Sequence, residues 1–335
     1  MAIAAIHAGL RCLFLLSWLL PASLSAQQLP LFSLYRENQG LLNPAAVHSD
    51  FLLYHDSYRL SVGATHRSQW VDGSGKIATQ SARAEYIGVG DSRFAPLAGL
   101  YVVNDQVGPT GFTGIYGRLA SIFGLAHPNF GGFSVGLNVG YVQHRIETSQ
   151  IDLLDPGDVP GQTDQRQWHP DVGLGAFFYK GLNNAIGEDA ALVYAGLSAA
   201  QLFQLDLSFP GEDGRFPLTR RPHFYALAGA YAFLDNFSFF ELSSWARYVD
   251  GAPFDLDVRL RYQYNRQFWI GAGGALNGNL HAEFGTYLLH LFDRSARGRP
   301  LVKLSAGFDY GLNPRGLRPG RAFEVNLSVL PAWNR

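Results

Sequence analysis

Three groups of residues in this sequence have the types and spacing for chemistry. In His66-Arg67-Ser68 an imidazole and a hydroxyl stand two positions apart. On a strand they share one face and Arg67 takes the other. Lipid hydrolases embedded in barrels use such a pair, the ring activating a weak hydroxyl nucleophile. That chemistry also needs an acid to orient the imidazole and donors for the oxyanion. Nothing identifies the acid, so the stretch reads as a polar strand end running into a turn. Asp152, Asp155, Asp158 and Asp164 lie in the segment Ile151–Arg166 and suggest calcium. The glycines and final Glu of an EF-hand loop are misplaced, however, which leaves a solvated acidic loop. Gly271-Ala272-Gly273-Gly274 and Gly173-Leu174-Gly175 resemble fragments of phosphate-binding loops, yet neither opens a helix. Within strands such glycines admit close packing. The 10 His are scattered without metal-ligand spacing. The expectation is a chain with no catalytic residue, no cofactor and no metal site.

The elements that carry these residues begin after a leader. Arg11 precedes the apolar run Leu13 to Leu20, Pro21 breaks it, and small residues lead to Ser25-Ala26. A charged start, an apolar stretch too short to span a bilayer and a cleavage site describe a signal peptide over residues 1–26. Gln27 is then the mature N-terminus. Cys12, the single cysteine, falls inside the leader. A net charge of −1 argues against a nucleic-acid partner. The chain holds 38 Gly, 16 Tyr and 24 Phe against 1 Met, a composition of strands and tight turns. After residue 26 no apolar run reaches the roughly 18 residues of a membrane helix. A closed barrel can still cross, because closure satisfies every backbone group.

Period-two alternation dominates the rest. Phe254, Leu256, Val258, Leu260, Tyr262 and Tyr264 share one face, and Asp255, Asp257, Arg259, Arg261, Gln263 and Asn265 share the other. The same pattern recurs from Phe133 to Tyr141, from Val302 to Tyr310 and from Phe323 to Val329. A greasy face opposite a small or polar one is what lipid outside and a wet lumen inside demand. The mixed signs of Asp255, Asp257, Arg259 and Arg261 suit ion pairs that fill and stiffen the lumen. Tyr58, Trp70, Tyr141, Trp245 and Trp269 are candidates for interfacial girdles. About fourteen strands are expected, starting near residues 51, 76, 94, 110, 132, 169, 190, 222, 237, 253, 267, 278, 299 and 320. The fold class is therefore all-β, a transmembrane antiparallel up-and-down barrel over 51–335, preceded by a periplasmic or plug segment, 27–50. The long connections Glu147–Trp168, Leu202–Arg221 and Gly311–Gly320, with Asp155 to Asp164 among them, face the cell exterior on the barrel rule. Short ones such as Asp235-Asn236 face the periplasm.

The mature start, Gln28-Leu-Pro-Leu-Phe-Ser-Leu-Tyr35 followed by Leu42-Asn-Pro-Ala-Ala46, resembles the opening of the PorP/SprF family. Arg67-Ser-Gln-Trp70, Thr79-Gln80, Gly99-Leu-Tyr-Val-Val-Asn-Asp-Gln-Val-Gly-Pro109, Pro170-Asp-Val-Gly-Leu-Gly175, Tyr194-Ala-Gly-Leu-Ser198 and Phe308-Asp-Tyr310 continue the likeness in order. Ser68 stands where the family has Asn, and Arg36-Glu37-Asn38-Gln39-Gly40 replaces a more apolar stretch. The resemblance implies a non-enzymatic outer-membrane barrel of type IX secretion and gliding. Its partners would be periplasmic lipoprotein ring components or a large secreted adhesin. A small-solute channel and a barrel lipid hydrolase using Ser68 and His66 are the alternatives. Phe32, Tyr35, Leu41 and Leu42 in the N-terminal segment would form a periplasmic docking surface or tuck into the lumen as a plug.

Overall fold

Alternating apolar and polar residues cannot form a buried core on both faces, so these strands close on themselves and leave the apolar face to lipid. The computed structural model describes residues 32–54, 58–69, 77–88, 94–124, 131–147, 164–182, 191–203, 205–211, 214–235, 237–288, 300–312 and 320–332. The strands are β1 (Leu60–Gln69), β2 (Ile77–Ile87), β3 (Phe94–Val107), β4 (Thr110–Gly124), β5 (Gly131–Ile146), β6 (Gln165–Gly181), β7 (Ala191–Ala200), β8 (Leu205–Gly211), β9 (Gly214–Arg220), β10 (His223–Phe233), β11 (Phe239–Val249), β12 (Asp255–Tyr264), β13 (Phe268–Ala275), β14 (Asn279–Tyr287), β15 (Leu301–Gly311) and β16 (Arg321–Leu330). All but β8 and β9 form one closed antiparallel barrel of 14 strands. Its closing seam pairs β1 with β16, from Val62↔Val329 to Gln69↔Ala322. No helix among the described residues is long and apolar enough to cross a membrane.

The wall has the expected polarity. Leu119, Leu197, Leu260, Val258 and Phe308 point outward and are exposed, while Arg118, Arg259 and Asp309 on neighbouring positions point inward and are buried. The strand expected from about residue 51 starts instead at Leu60. Ser49–Tyr54 forms a short helix, α2, because Phe51-Leu52-Leu53-Tyr54 is a continuous apolar run with no exposed face to alternate. The connection Leu202–Arg221 contains the hairpin β8–β9, which stands apart as its own two-stranded sheet. Of the proposed girdle residues within the described ones, Tyr141 alone faces outward. Tyr58, Trp245 and Trp269 are buried inside, as their parity requires: Trp245 shares a face with Glu241 and Ser243, and Trp269 lies between the outward-leaning Phe268 and Ile270. Trp70 falls outside the described residues.

The barrel has a proximal end, where β1 begins and β16 finishes, and a distal end. The distal end carries the connections 147–164 and 201–222. Inside the lumen lie a 3-10 turn (Tyr35–Asn38), the single helical turn α1 (Gln39–Leu42) and α2.

Candidate functional site

Residues 32–54 thread the lumen from the distal half to the proximal mouth, and nearly all of them are buried. Ser33 marks the distal end of the path. Its Oγ donates to Asp309 at 2.6 Å, its backbone carbonyl accepts from Arg259, and Arg67 donates to its hydroxyl. The amide of Leu34 donates to Glu324 at 3.2 Å. Around this point the wall charges are paired, Arg259 with Asp257 at 2.7 Å and Arg67 with Asp309. His281 stands between Asp257 at 2.7 Å and Asp309 at 2.6 Å.

One turn further in, Arg36 donates to Glu241 at 2.9 Å and to Glu283 at 3.1 Å, and Tyr35 donates to Ser243 at 2.8 Å. Arg261 and Tyr194 converge on the same Glu241. Glu37 faces the opposite wall, where Lys303 lies at 3.0 Å and Arg83 at 3.1 Å. Lys303 also holds Asp50 at 2.8 Å, so one ammonium ties the 3-10 turn to α2. Charges this deep are tolerated only when paired and hydrogen-bonded. The internal ion pairs expected from Asp255, Asp257, Arg259 and Arg261 thus exist, and most serve to hold the segment. Glu37, His48 and Asp50 together have the composition of a cation site, and its two carboxylates hold the Lys303 ammonium.

Between these clusters the wall is cut away for the backbone. A Cβ at Gly136 would overlap the carbonyl of Pro44, and one at Gly175 would overlap the Asn43 side chain. Asn43 donates across this seat to the carbonyls of Ala176 (3.1 Å) and Leu197 (3.3 Å), and Ser198 donates to the carbonyl of Leu42 at 2.7 Å. Arg118 donates to the carbonyls of Pro44 and Ala46 and pairs with Glu85. At the proximal mouth Val47, Phe51 and Leu52 pack against Leu97, Ile122, Phe177 and Tyr179. Tyr54 stacks edge-on with Tyr287 and accepts from Gln263 at 2.8 Å.

Phe32, Tyr35 and Leu42 are therefore buried, and Leu41 packs against the Tyr101, Tyr116 and Val142 cluster. The docking surface expected of these four side chains does not form. His66 and Ser68 do meet, Nε2 to Oγ at 3.2 Å, but on the exposed outer face. Nδ1 faces the side-chain amide of Gln80 at 3.5 Å, and among the described residues no carboxylate bonds the ring. Arg67, between them, points inward to Ser33. Gly271 and Gly273 admit the Glu283 and Arg259 side chains into the lumen, the packing role expected of them. Of the four loop aspartates only Asp164 lies within the described residues. The sequence assigns no role to Glu37, His48 or Lys303, and Glu37 stands out in it only as part of the polar stretch Arg36–Gly40. Their signal was available only as parity, Lys303 lying on the polar face of its strand.

The fold and the occupied lumen define a class: an integral outer-membrane β-barrel that holds residues 32–54 of its own chain inside its wall. The chain belongs to the PorP/SprF family, type IX secretion system membrane proteins, whose model matches residues 24–329. It is thus a non-enzymatic component associated with type IX secretion and gliding. No curated protein matches it. Among solved structures it is similar to the P. putida toluene transporter TodX, with a TM-score of 0.51 at 10% identity, covering 89% of this chain and 94% of that one. The deltaS2 mutant of TodX, a monoaromatic hydrocarbon channel, gives 0.51 at 12% identity over 83% and 90%. At these identities the likeness is one of fold.

Proposed function

We propose that this barrel is a sealed scaffold that holds partner proteins of type IX secretion, either periplasmic lipoprotein ring components or a large secreted adhesin. The observation that carries the reading is the lumen itself. A passage for solute needs open space, and the reading is supported by residues 32–54, which lie buried inside the barrel and are held at three ionic clusters. Partners then bind the outer rim or the periplasmic connections, not the threaded segment. In this reading residues 1–26 are removed on export and Gln27 begins the mature chain.

The test is a deletion of Leu31–Leu42 that keeps the leader. Purified parent barrel should be nearly silent in planar bilayers, and the deletion should open a large conductance. Both proteins should co-purify with type IX components from cells and support display of the secreted partner. A parent barrel that conducts strongly would favour the alternative, a small-solute channel. Loss of partner binding on deletion, with the barrel still inserted and heat-modifiable, would return the docking role to the segment.

A further inference from the structure

At the distal end a cavity of about 200 Å³ opens between the ends of β10, β11 and β12 and the turns 250–254 and 276–278. Its polar lining is unusual in what it leaves unspent. Arg247 commits Nη2 to Asp255 and lies 4.5 Å over the Trp245 ring. Its Nε and Nη1 have no partner among the described residues, nor has the Tyr225 hydroxyl. Beneath them the Trp245 Nε1 is buried without an acceptor. The one carboxylate present is already engaged. Asp255 accepts from the Asn277 amide at 3.2 Å, from its side-chain nitrogen at 3.1 Å, and from Arg247. Arg247 and Tyr225 therefore hold unspent donors beside a carboxylate that is already taken. Its remaining walls are largely apolar, Val249, Pro253, Phe254 and Leu276, with the His223 imidazole, which bonds the Arg221 carbonyl at 2.9 Å, and Tyr248 at the edge.

Those two facts select a ligand class. A neutral hydrocarbon would desolvate three donors and satisfy none. A sugar would bring several donors of its own, whereas the one carboxylate of the site is already engaged. Inorganic phosphate would leave the apolar wall wet. A carboxylate matches a guanidinium edge and a phenol hydroxyl, with charge-assisted bonds to both, and a ring-sized apolar body suits the walls. The volume is below that of pockets for drug-sized ligands. We propose that this cavity binds a small organic acid, a carboxylate carried on one ring-sized apolar group. Behind Tyr225 the Trp245 and Tyr35 rings stack on towards the barrel interior, so the acid is held at the rim and does not pass through. This seat does not depend on the scaffold reading.

Calorimetry on the full-length barrel in detergent tests it, with phenylacetate as the acid, 2-phenylethanol as the neutral analogue and inorganic phosphate as the bare anion. Phenylacetate should bind saturably and at least about tenfold more tightly than either comparator. Arg247→Gln should weaken it by about tenfold or more. Tyr225→Phe, which keeps the ring packing and the Arg247–Asp255 pair, should weaken it by about threefold to tenfold in an equally heat-modifiable barrel. A short peptide ending in Phe, compared with its C-terminal amide, separates the two sources of such a carboxylate. Binding of the free-acid peptide and not the amide points to a polypeptide terminus, and binding of phenylacetate alone points to a free metabolite. Either supports the site. Equal affinity for acid and alcohol, no saturable binding, or indifference to both substitutions would overturn it.

Discussion

Replacing Lys303 with Met removes the one cation shared by the two parts of the plug. Its ammonium contacts Glu37 at 3.0 Å and Asp50 at 2.8 Å, and all three groups are at least nine-tenths buried. Removing one partner of a buried pair costs about 3–5 kcal/mol, because the other charge is left without compensation. Here Arg83 still faces Glu37 at 3.1 Å and His48 still faces Asp50 at 3.2 Å, which places the expected loss near the lower bound. About 3 kcal/mol is roughly a hundredfold in the equilibrium between seated and unseated segment. In planar bilayers a nearly silent parent should become a barrel with frequent openings, and its unfolding midpoint in urea should fall. A triple variant, Lys303→Met with Glu37→Gln and Asp50→Asn, leaves no orphaned charge and should recover much of the silence. Arg83 keeps Glu85 at 3.3 Å and Ser61 at 2.8 Å in that variant. If Lys303→Met is as silent and as stable as the parent, the ammonium is not what holds the segment.

Three further outcomes follow from other parts of the wall. Val258→Arg, on the outward face of β12, should destabilise the inserted barrel by about 2–4 kcal/mol, measured by urea unfolding in vesicles; parental stability would mean the strand register is wrong. Gly136→Ala should drive the new methyl into the backbone of Pro44 and Ala45, unseating the plug and raising conductance without loss of membrane insertion. For orientation, a cysteine at Asp158 should label on intact cells and one at Asn236 should not; the reverse pattern would invert the topology.

The barrel was legible because lipid enforces a simple code. Each strand must send every second residue into hydrocarbon, so Phe254 to Tyr264 or Phe323 to Val329 reveal both element and face. The luminal contents were less legible for the same reason. Parity tells which side chains point inward, but not which of them meet, and Arg36, Glu37 and Lys303 come from distant stretches of chain. Residue type alone points Trp245 and Trp269 to the girdles, whereas their parity puts them inside. An apolar run as short as Phe51 to Tyr54 does not by itself distinguish a buried helix from a first strand, and here it is helical. The motifs that carried the family resemblance fall on the line of contact between plug and wall: Asn43-Pro44 rests on Gly175, Ser198 bonds Leu42, and Arg67 bonds Ser33.

The placement of Ser33 and Glu37 bears on how the cylinder stays shut. The β1–β16 ladder joins strands from opposite ends of the polypeptide, and an unzipped ladder exposes two sticky edges. Ser33 is bonded to Arg67 on β1, Asp309 on β15 and Glu324 on β16. Glu37 reaches Arg83 on β2, Lys303 on β15 and Ser328 on β16. Both flanks of the join are thus laced to the same short stretch of chain from within. Should the ladder part under force or heat, its edges would remain tethered to a common spine, close enough to re-pair with each other before meeting a neighbouring molecule.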